Sequence, residues 1–168
     1  PRRRIVKTIY LMRHAKSDWD ADYSGDFNRP LNNRGKSSAT KMGTHLVDFM
    51  SAPDLVLCSS SLRTRQTYTL LSAAANWESD IEFDDELYLS TPMYVFEQLQ
   101  NLDQALNKVL VIGHQPTTGI IASSLIGGKL VDVPTATFIE IEHNSDNWSD
   151  VGIGTGQLSR HILARSLD

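Results

Sequence analysis

Four side chains of chemically active types directly follow apolar segments that are typical of buried strands. Arg13 and His14 come after residues 5–12 (IVKTIYLM), Arg63 follows LVLCSS at the start of a predicted helix, and His114 follows VLVIG. In α/β sheets, ligands bind outside the carboxyl ends of the parallel strands. If the three strands are parallel neighbours, two arginines and two histidines therefore converge on one crevice.

A crevice of this composition suits phosphoryl chemistry. Guanidinium groups bind a phosphoryl or carboxylate group through paired hydrogen bonds, and helix N-termini add partial positive charge. Nearby positive charge disfavours imidazolium, so we expect His14 to be neutral and nucleophilic near pH 7. Arg13, Arg63 and His114 would then stabilise charge on the phosphoryl oxygens. Each residue alone also fits a structural role, such as a hydrogen-bonded strand end, a metal ligand or a surface arginine, so only the joint pattern favours this chemistry.

The elements that must position these residues alternate along the chain. Predicted strands are 5–12, 55–58, 81–83, 109–112 and 137–141, and predicted helices are 36–50, 62–75, 92–99 and 117–126. This alternation indicates an α/β three-layer sandwich, with a largely parallel central sheet and helices on both faces. Residues 137–141 alternate in polarity as an edge strand or a half-exposed strand does. Residues 17–33 are polar and predict a long loop that borders the pocket.

Composition narrows the remaining classes of function. The 168 residues fit one domain spanning 1–168, and a net charge of -4 argues against nucleic acid or an anionic membrane as the partner. Arg2, Arg3 and Arg4 are interpreted as a solvated tail. One cysteine, no apolar run long enough for a membrane span and no secretory signal lead us to expect a cytoplasmic protein.

Other phosphate and metal motifs are out of register. A cysteine-dependent phosphatase needs an arginine six positions after its cysteine, but Thr64 stands six positions after Cys58, so Cys58 is expected to be a buried strand residue. Gly128-Lys129 lacks the first glycine of a P-loop. The five histidines show no tight metal-ligand spacing, and the aspartates of residues 18–22 begin a calcium-loop pattern that is not completed.

Three motifs in chain order resemble those of the histidine phosphatase superfamily. Residues 11–17 (LMRHAKS) resemble its Arg-His-Gly motif with alanine in place of glycine, residues 59–67 (SSSLRTRQT) its second arginine motif, and residues 111–116 (VIGHQP) its second histidine motif. The short chain and residues 29–35 (RPLNNRG) are most similar to the SixA-type phosphohistidine phosphatases.

The resemblance implies a phosphoglycerate mutase-like fold and a phosphatase without metal or organic cofactor. It implies that His14 is the phosphorylated nucleophile and that Arg13, Arg63 and His114 form the phosphate pocket. Ser17 matches a position near the phosphate in related mutases. Glu86, in a segment that aligns poorly with the family's general acid, is a candidate acid that equally fits a solvated surface role.

Several functions are compatible with these residues. The resemblance favours a protein phosphohistidine as substrate, and a small phosphate ester is the alternative. A mutase of the same fold would need a closed pocket and usually a longer chain. A non-catalytic domain that binds phosphorylated partners would keep the arginines but would not need His14 as a nucleophile.

Overall fold

The computed structural model describes residues 6–167. The arginine tail at residues 2–4 and the start of the first predicted strand therefore lie outside the described residues. No helix within the described range is long and apolar enough to cross a membrane.

A six-stranded mixed sheet forms the centre of the molecule, in the order β3-β2-β4-β1-β5-β6. Its strands are β1 (Thr8–Arg13), β2 (Leu55–Ser59), β3 (Asp80–Asp84), β4 (Lys108–Gly113), β5 (Phe138–His143) and β6 (Gly156–Ile162). The first four pair in parallel, and β5 and β6 pair antiparallel to their neighbours. The predicted α/β architecture with a largely parallel sheet is confirmed.

Four helices cover the two faces of this sheet. They are α1 (Asn33–Leu46), α2 (Leu62–Ala75), α3 (Pro92–Gln100) and α4 (Thr117–Leu125). Alternate residues of β1 face opposite ways: Tyr10 and Met12 belong to the core under α1 and α2, and Ile9 and Leu11 to the core under α3 and α4. Because β1, β2 and β4 are buried on both faces, they are largely apolar, which is why they were predictable.

Two predicted elements differ from the structure. The helix predicted at 36–50 begins at Asn33, because the Asn32 side chain caps it by accepting a hydrogen bond from the Gly35 amide at 2.8 Å. It also ends earlier than predicted, at Leu46. Residues 137–141 were predicted as an edge or half-exposed strand, and the edge position is wrong, because β5 lies between β1 and β6. Within β5 only Glu140 and Glu142 are not buried. The edge is β6, whose polar residues gave no clear strand signal.

Candidate active site

Neighbouring parallel strands bring His14 and His114 together. Arg13 at the end of β1 pairs with Gly113 at the end of β4, so each histidine is the next residue along its chain. The His14 amide donates to the Gly113 carbonyl at 3.1 Å, and the centroids of the two histidine rings lie 5.3 Å apart. The convergence expected from the strand ends is therefore present.

The backbone around His14 is held from three sides. Besides its bond to β4, the His14 carbonyl accepts from the Ala136 amide at 3.0 Å, just before β5. The amide of Ala15 donates to Oγ1 of Thr67 in α2, also at 3.0 Å. Ala15 is fully buried, so the alanine that replaces the family's glycine is accommodated in the core. These contacts fix the direction of the His14 ring.

One nitrogen of the His14 ring is engaged in a hydrogen bond, and the other carries a free lone pair. Nδ1 lies 2.7 Å from the Ala15 carbonyl, which only accepts, so Nδ1 carries the proton and Nε2 the lone pair. Burial lowers the pKa of His14 to about 3; the charges of His114, Arg63 and Arg13 act in the same direction, and the bond to Ala15 opposes them. Neutral His14 was predicted from nearby charge, but burial is the larger cause.

His114 is held as a hydrogen-bond donor. Its Nε2 lies 2.8 Å from the Ser59 hydroxyl at the end of β2, and Arg63 Nη2 approaches its Nδ1 at 3.5 Å. Burial, followed by the charge of Arg63, lowers the pKa of His114 to about 4. Both histidines are thus uncharged near neutral pH, which leaves the arginines and Lys16 as the cations of the site.

Arg63 lies in the first turn of α2 and is almost fully buried. Its Nη1 donates to the Asp26 carbonyl at 2.8 Å, and its Nη2 pairs with Asp26 Oδ2 at 3.0 Å. Asp26 also accepts from the Tyr88 hydroxyl at 2.7 Å and from Arg29 Nη2 at 2.8 Å. One carboxylate from the long loop therefore orients two guanidinium groups.

Asp26 was not predicted as a site residue. Burial alone would raise its pKa, but hydrogen bonds from Tyr88 and Arg29, together with the charges of Arg63 and Arg29, hold the pKa well below its ordinary value. Asp26 therefore stays ionised and serves as a counterion rather than a proton donor.

The long loop after His14 borders the site, as predicted. It folds back on itself through a bridge between Ser17 and Leu31, and it contains a short 3₁₀ turn at Asp26–Asn28. Ser17 is buried, and its hydroxyl accepts a hydrogen bond from Arg29 Nη1. The Arg29 guanidinium stacks 3.5 Å from the centroid of the exposed Trp19 ring. Arg29, which the sequence analysis did not assign to the site, is thus a third arginine here and is buried like Arg63.

Two buried arginine nitrogens are unsatisfied within residues 6–167. Arg13 donates through Nη1 to the Val133 carbonyl at 3.2 Å, but the Nε atoms of Arg13 and Arg63 have no hydrogen-bond partner there. Buried donors are nearly always paired in folded proteins. Donors left over at a cavity that holds three arginines suit an anionic ligand.

A cavity of about 330 Å³ opens over these groups. Its described lining residues are Arg13, His14, Lys16, Ser17, Trp19, Arg29, Arg63, Leu89, His114, Gln115 and Thr135. The structure therefore places five of the six predicted site residues at one cavity. The sixth, Glu86, is exposed, lies outside this lining, and is held by its amide donating to Asp84 Oδ1 at 2.9 Å.

The lining within the described chain includes no carboxylate. No group of three or more His, Cys, Asp or Glu side chains among residues 6–167 is placed to hold a metal ion. Cys58 is fully buried in β2, and burial raises the pKa of its thiol to about 12, in keeping with the predicted strand position. The candidate nucleophile of the cavity is therefore His14.

Acid should destabilise the protein through His14. In the unfolded chain this ring gains a proton below its ordinary pKa of 6.5, whereas the folded ring does not until about pH 3. The free energy of unfolding should therefore fall by about 1.4 kcal/mol per pH unit from this group. Between about pH 6.5 and about pH 5, wild type should lose about 2 kcal/mol more than His14→Gln in urea titrations. Equal losses in wild type and His14→Gln would contradict the assignment.

Comparison with known protein families and structures agrees with this geometry. The family model of the histidine phosphatase superfamily (branch 1) matches residues 9–88. The Mycobacterium tuberculosis protein named Uncharacterized protein Rv1276c is 32% identical over 150 residues, which are 89% of each chain.

Solved structures of SixA proteins share the fold over nearly the whole chain. The protein histidine phosphatase SixA complexed with tungstate superposes with a TM-score of 0.83 at 26% identity, covering 96% of this chain and 99% of the other. A protein named SixA from Nakamurella multipartitia gives a TM-score of 0.82 at 26% identity, over 94% and 96% of the two chains.

Proposed function

Since the chain belongs to the histidine phosphatase superfamily, we propose that it dephosphorylates protein phosphohistidine through a covalent intermediate on His14. The observation that carries this proposal is the His14 ring. Its Nδ1 is held by the Ala15 carbonyl, so the lone pair is on Nε2, and the ring lines a cavity with three buried or half-buried arginines.

The reaction takes two displacements at phosphorus. In the first, His14 Nε2 forms a bond to phosphorus while the bond from phosphorus to the substrate nitrogen breaks, and the released imidazole takes up a proton. In the second, water attacks phosphorus, the bond to His14 breaks, and inorganic phosphate leaves. Arg13 and Arg63 stabilise the phosphoryl oxygens in both steps, because such transfers depend mainly on positioning and charge. His114 lines the same cavity, with its Nε2–H held by the Ser59 hydroxyl at 2.8 Å.

The nature of the lining supports phosphohistidine over an alkyl phosphate ester. An alkoxide leaving group needs a proton donor, and the described lining offers no carboxylic acid for this task. An imidazole leaving group titrates near neutral pH and needs less help. Glu86, the acid candidate from the sequence, would have to reach the cavity from an exposed position outside its lining.

The similarity to SixA supports the same substrate class. One such structure holds tungstate, an oxyanion of the same tetrahedral shape as phosphate. The two exposed apolar side chains at the cavity, Trp19 and Leu89, are 70% and 80% exposed and would contact a macromolecular substrate around its phosphohistidine.

Trapping of the intermediate tests the proposal. Wild type mixed with a ³²P-phosphohistidine protein and quenched in alkali should carry label that is stable to base and lost in acid. His14→Gln, which retains a side-chain donor for the Ala15 carbonyl, should carry no label. His45→Gln, at an exposed histidine of α1, is the matched control and should label as wild type does. Equal labelling of His14→Gln would refute the covalent role.

A further inference from the structure

A second cavity of about 250 Å³ adjoins the catalytic one. Lys16 and Thr135 line both cavities, so the two cavities share a border two residues after His14. We call it the basic cavity, because four cationic side chains line it: Lys16, Arg34, Lys41 and Arg165. The Ser37 and Ser38 hydroxyl groups lie among them and add hydrogen-bonding capacity.

The positive charge of the basic cavity contrasts with the negative net charge of the chain. The chain as a whole has a net charge of -4, yet this cavity is lined by four cations and no carboxylate within the described residues. Asp132 approaches Arg165 at 3.5 Å, but both side chains are mostly exposed, at 72% and 62%. A surface pair of this kind is weak and is readily exchanged for another anion.

The first turn of α1 fixes the basic cavity to the catalytic loop. The Asn32 amide donates to the Lys16 carbonyl at 3.0 Å. A Cβ atom added to Gly35 would lie 2.0 Å from that carbonyl oxygen, so this close packing requires glycine. Arg34, between these two contacts in sequence, is therefore held at a set distance from the His14 segment.

We infer that the basic cavity binds a second anionic group of the substrate, and that this group is a carboxylate flanking the phosphohistidine of an acidic protein segment. The inference rests on the proposed function. When the phosphoryl group is bound at His14, the neighbouring parts of the substrate would lie at the border between the two cavities, which Lys16 and Thr135 form. Exposed Trp19 and Leu89, which line the catalytic cavity, favour a protein over a small bisphosphate, since they provide apolar contact area.

Peptide binding without turnover tests the inference. The probes are two labelled peptides that carry a non-hydrolysable phosphoryl-triazole analogue of phosphohistidine, one flanked by glutamates and the other by glutamines. By fluorescence anisotropy, wild type should bind the glutamate peptide about tenfold more tightly. The double variant Arg34→Glu/Lys41→Glu should lose this preference and keep its turnover of p-nitrophenyl phosphate, which carries only the one anionic group.

The control variant is Lys36→Glu, an exposed charge reversal in the same turn of α1 that is outside the cavity lining. It should keep the preference within about twofold. Equal affinity of wild type for the two peptides, or loss of the preference in Lys36→Glu as well, would overturn the inference. If the double variant does not fold, Arg165→Glu alone should reduce the preference. A preference for glutamate without phosphate release from the natural phosphohistidine peptide would instead refute the proposed function.

Discussion

Replacing His14 with glutamine is expected to lower kcat/KM for a phosphohistidine protein by at least about 10⁴-fold. The reason is that the ring supplies the attacking nitrogen, and the amide that replaces it has no comparable lone pair. Phosphate release measured in steady state and in a single turnover checks the loss. A covalent route predicts that both fall together, because the first bond to phosphorus no longer forms.

Folding must be separated from chemistry in this variant. The glutamine amide retains a donor for the Ala15 carbonyl, and the backbone bonds of residue 14 to Gly113 and Ala136 do not depend on its side chain. Its urea midpoint near pH 7 should therefore stay close to that of wild type. If the His14→Gln protein folds well and still turns over substrate at the wild-type rate, His14 is not the nucleophile and the proposal is wrong.

Arg63→Lys should lower kcat/KM by about 10²-fold. Lysine keeps the positive charge but loses the planar fork, which in Arg63 holds Asp26 through two nitrogens. The variant should also bind tungstate more weakly as a competitive inhibitor. Measuring kcat, KM and the inhibition constant separates loss of phosphate binding from a general loss of folded protein.

Arg65→Lys provides the comparison on the same helix. Arg65 lies outside the cavity lining, stacks its guanidinium 4.2 Å from the Phe83 ring centroid and donates through Nε to the Ser60 carbonyl. Its replacement should leave the inhibition constant for tungstate near the wild-type value. Equal losses in the two variants would mean that α2 stability, rather than phosphate contact, determines the effect of Arg63→Lys.

Much of the site follows from local sequence patterns. The strands that precede His14, Arg63 and His114 are apolar on both faces, which identifies them as interior parallel strands. The carboxyl ends of such strands share one edge of the sheet, so the convergence of these three residues needs no knowledge of distant contacts. Ser17 was expected from the family resemblance alone, because it matches a position near the phosphate in related mutases.

The remaining site residues depend on contacts that the sequence does not indicate. Asp26 meets Arg63 across 37 positions and Tyr88 across 62, and neither separation has a periodic or motif-like signal. Arg29 was noted as part of a family motif, but its burial beneath Trp19 depends on the way the loop folds back. Glu86 was a candidate acid in a poorly aligned stretch, with a solvated surface role as the alternative, and its exposed position outside the cavity lining fits that alternative.

The last strands were hard to predict for a related reason. The sequence of β5 alternates in polarity because Glu140 and Glu142 are less buried than their neighbours, although the strand lies inside the sheet. β6 is an edge strand with several exposed polar residues, so neither apolar periodicity nor turn residues marked it.

The pairing of Arg13 with Gly113 also bears on how such a protein can change over generations. Since His14 and His114 follow the same rung of the β1–β4 ladder, their 5.3 Å ring separation derives from the strand spacing of about 4.8 Å. Inserting one residue into either strand would turn its histidine toward the opposite layer. Lengthening the 17–33 segment carries only a small entropic cost. We therefore expect substrate specificity to evolve through changes in the surrounding segments, while the two histidines keep their positions.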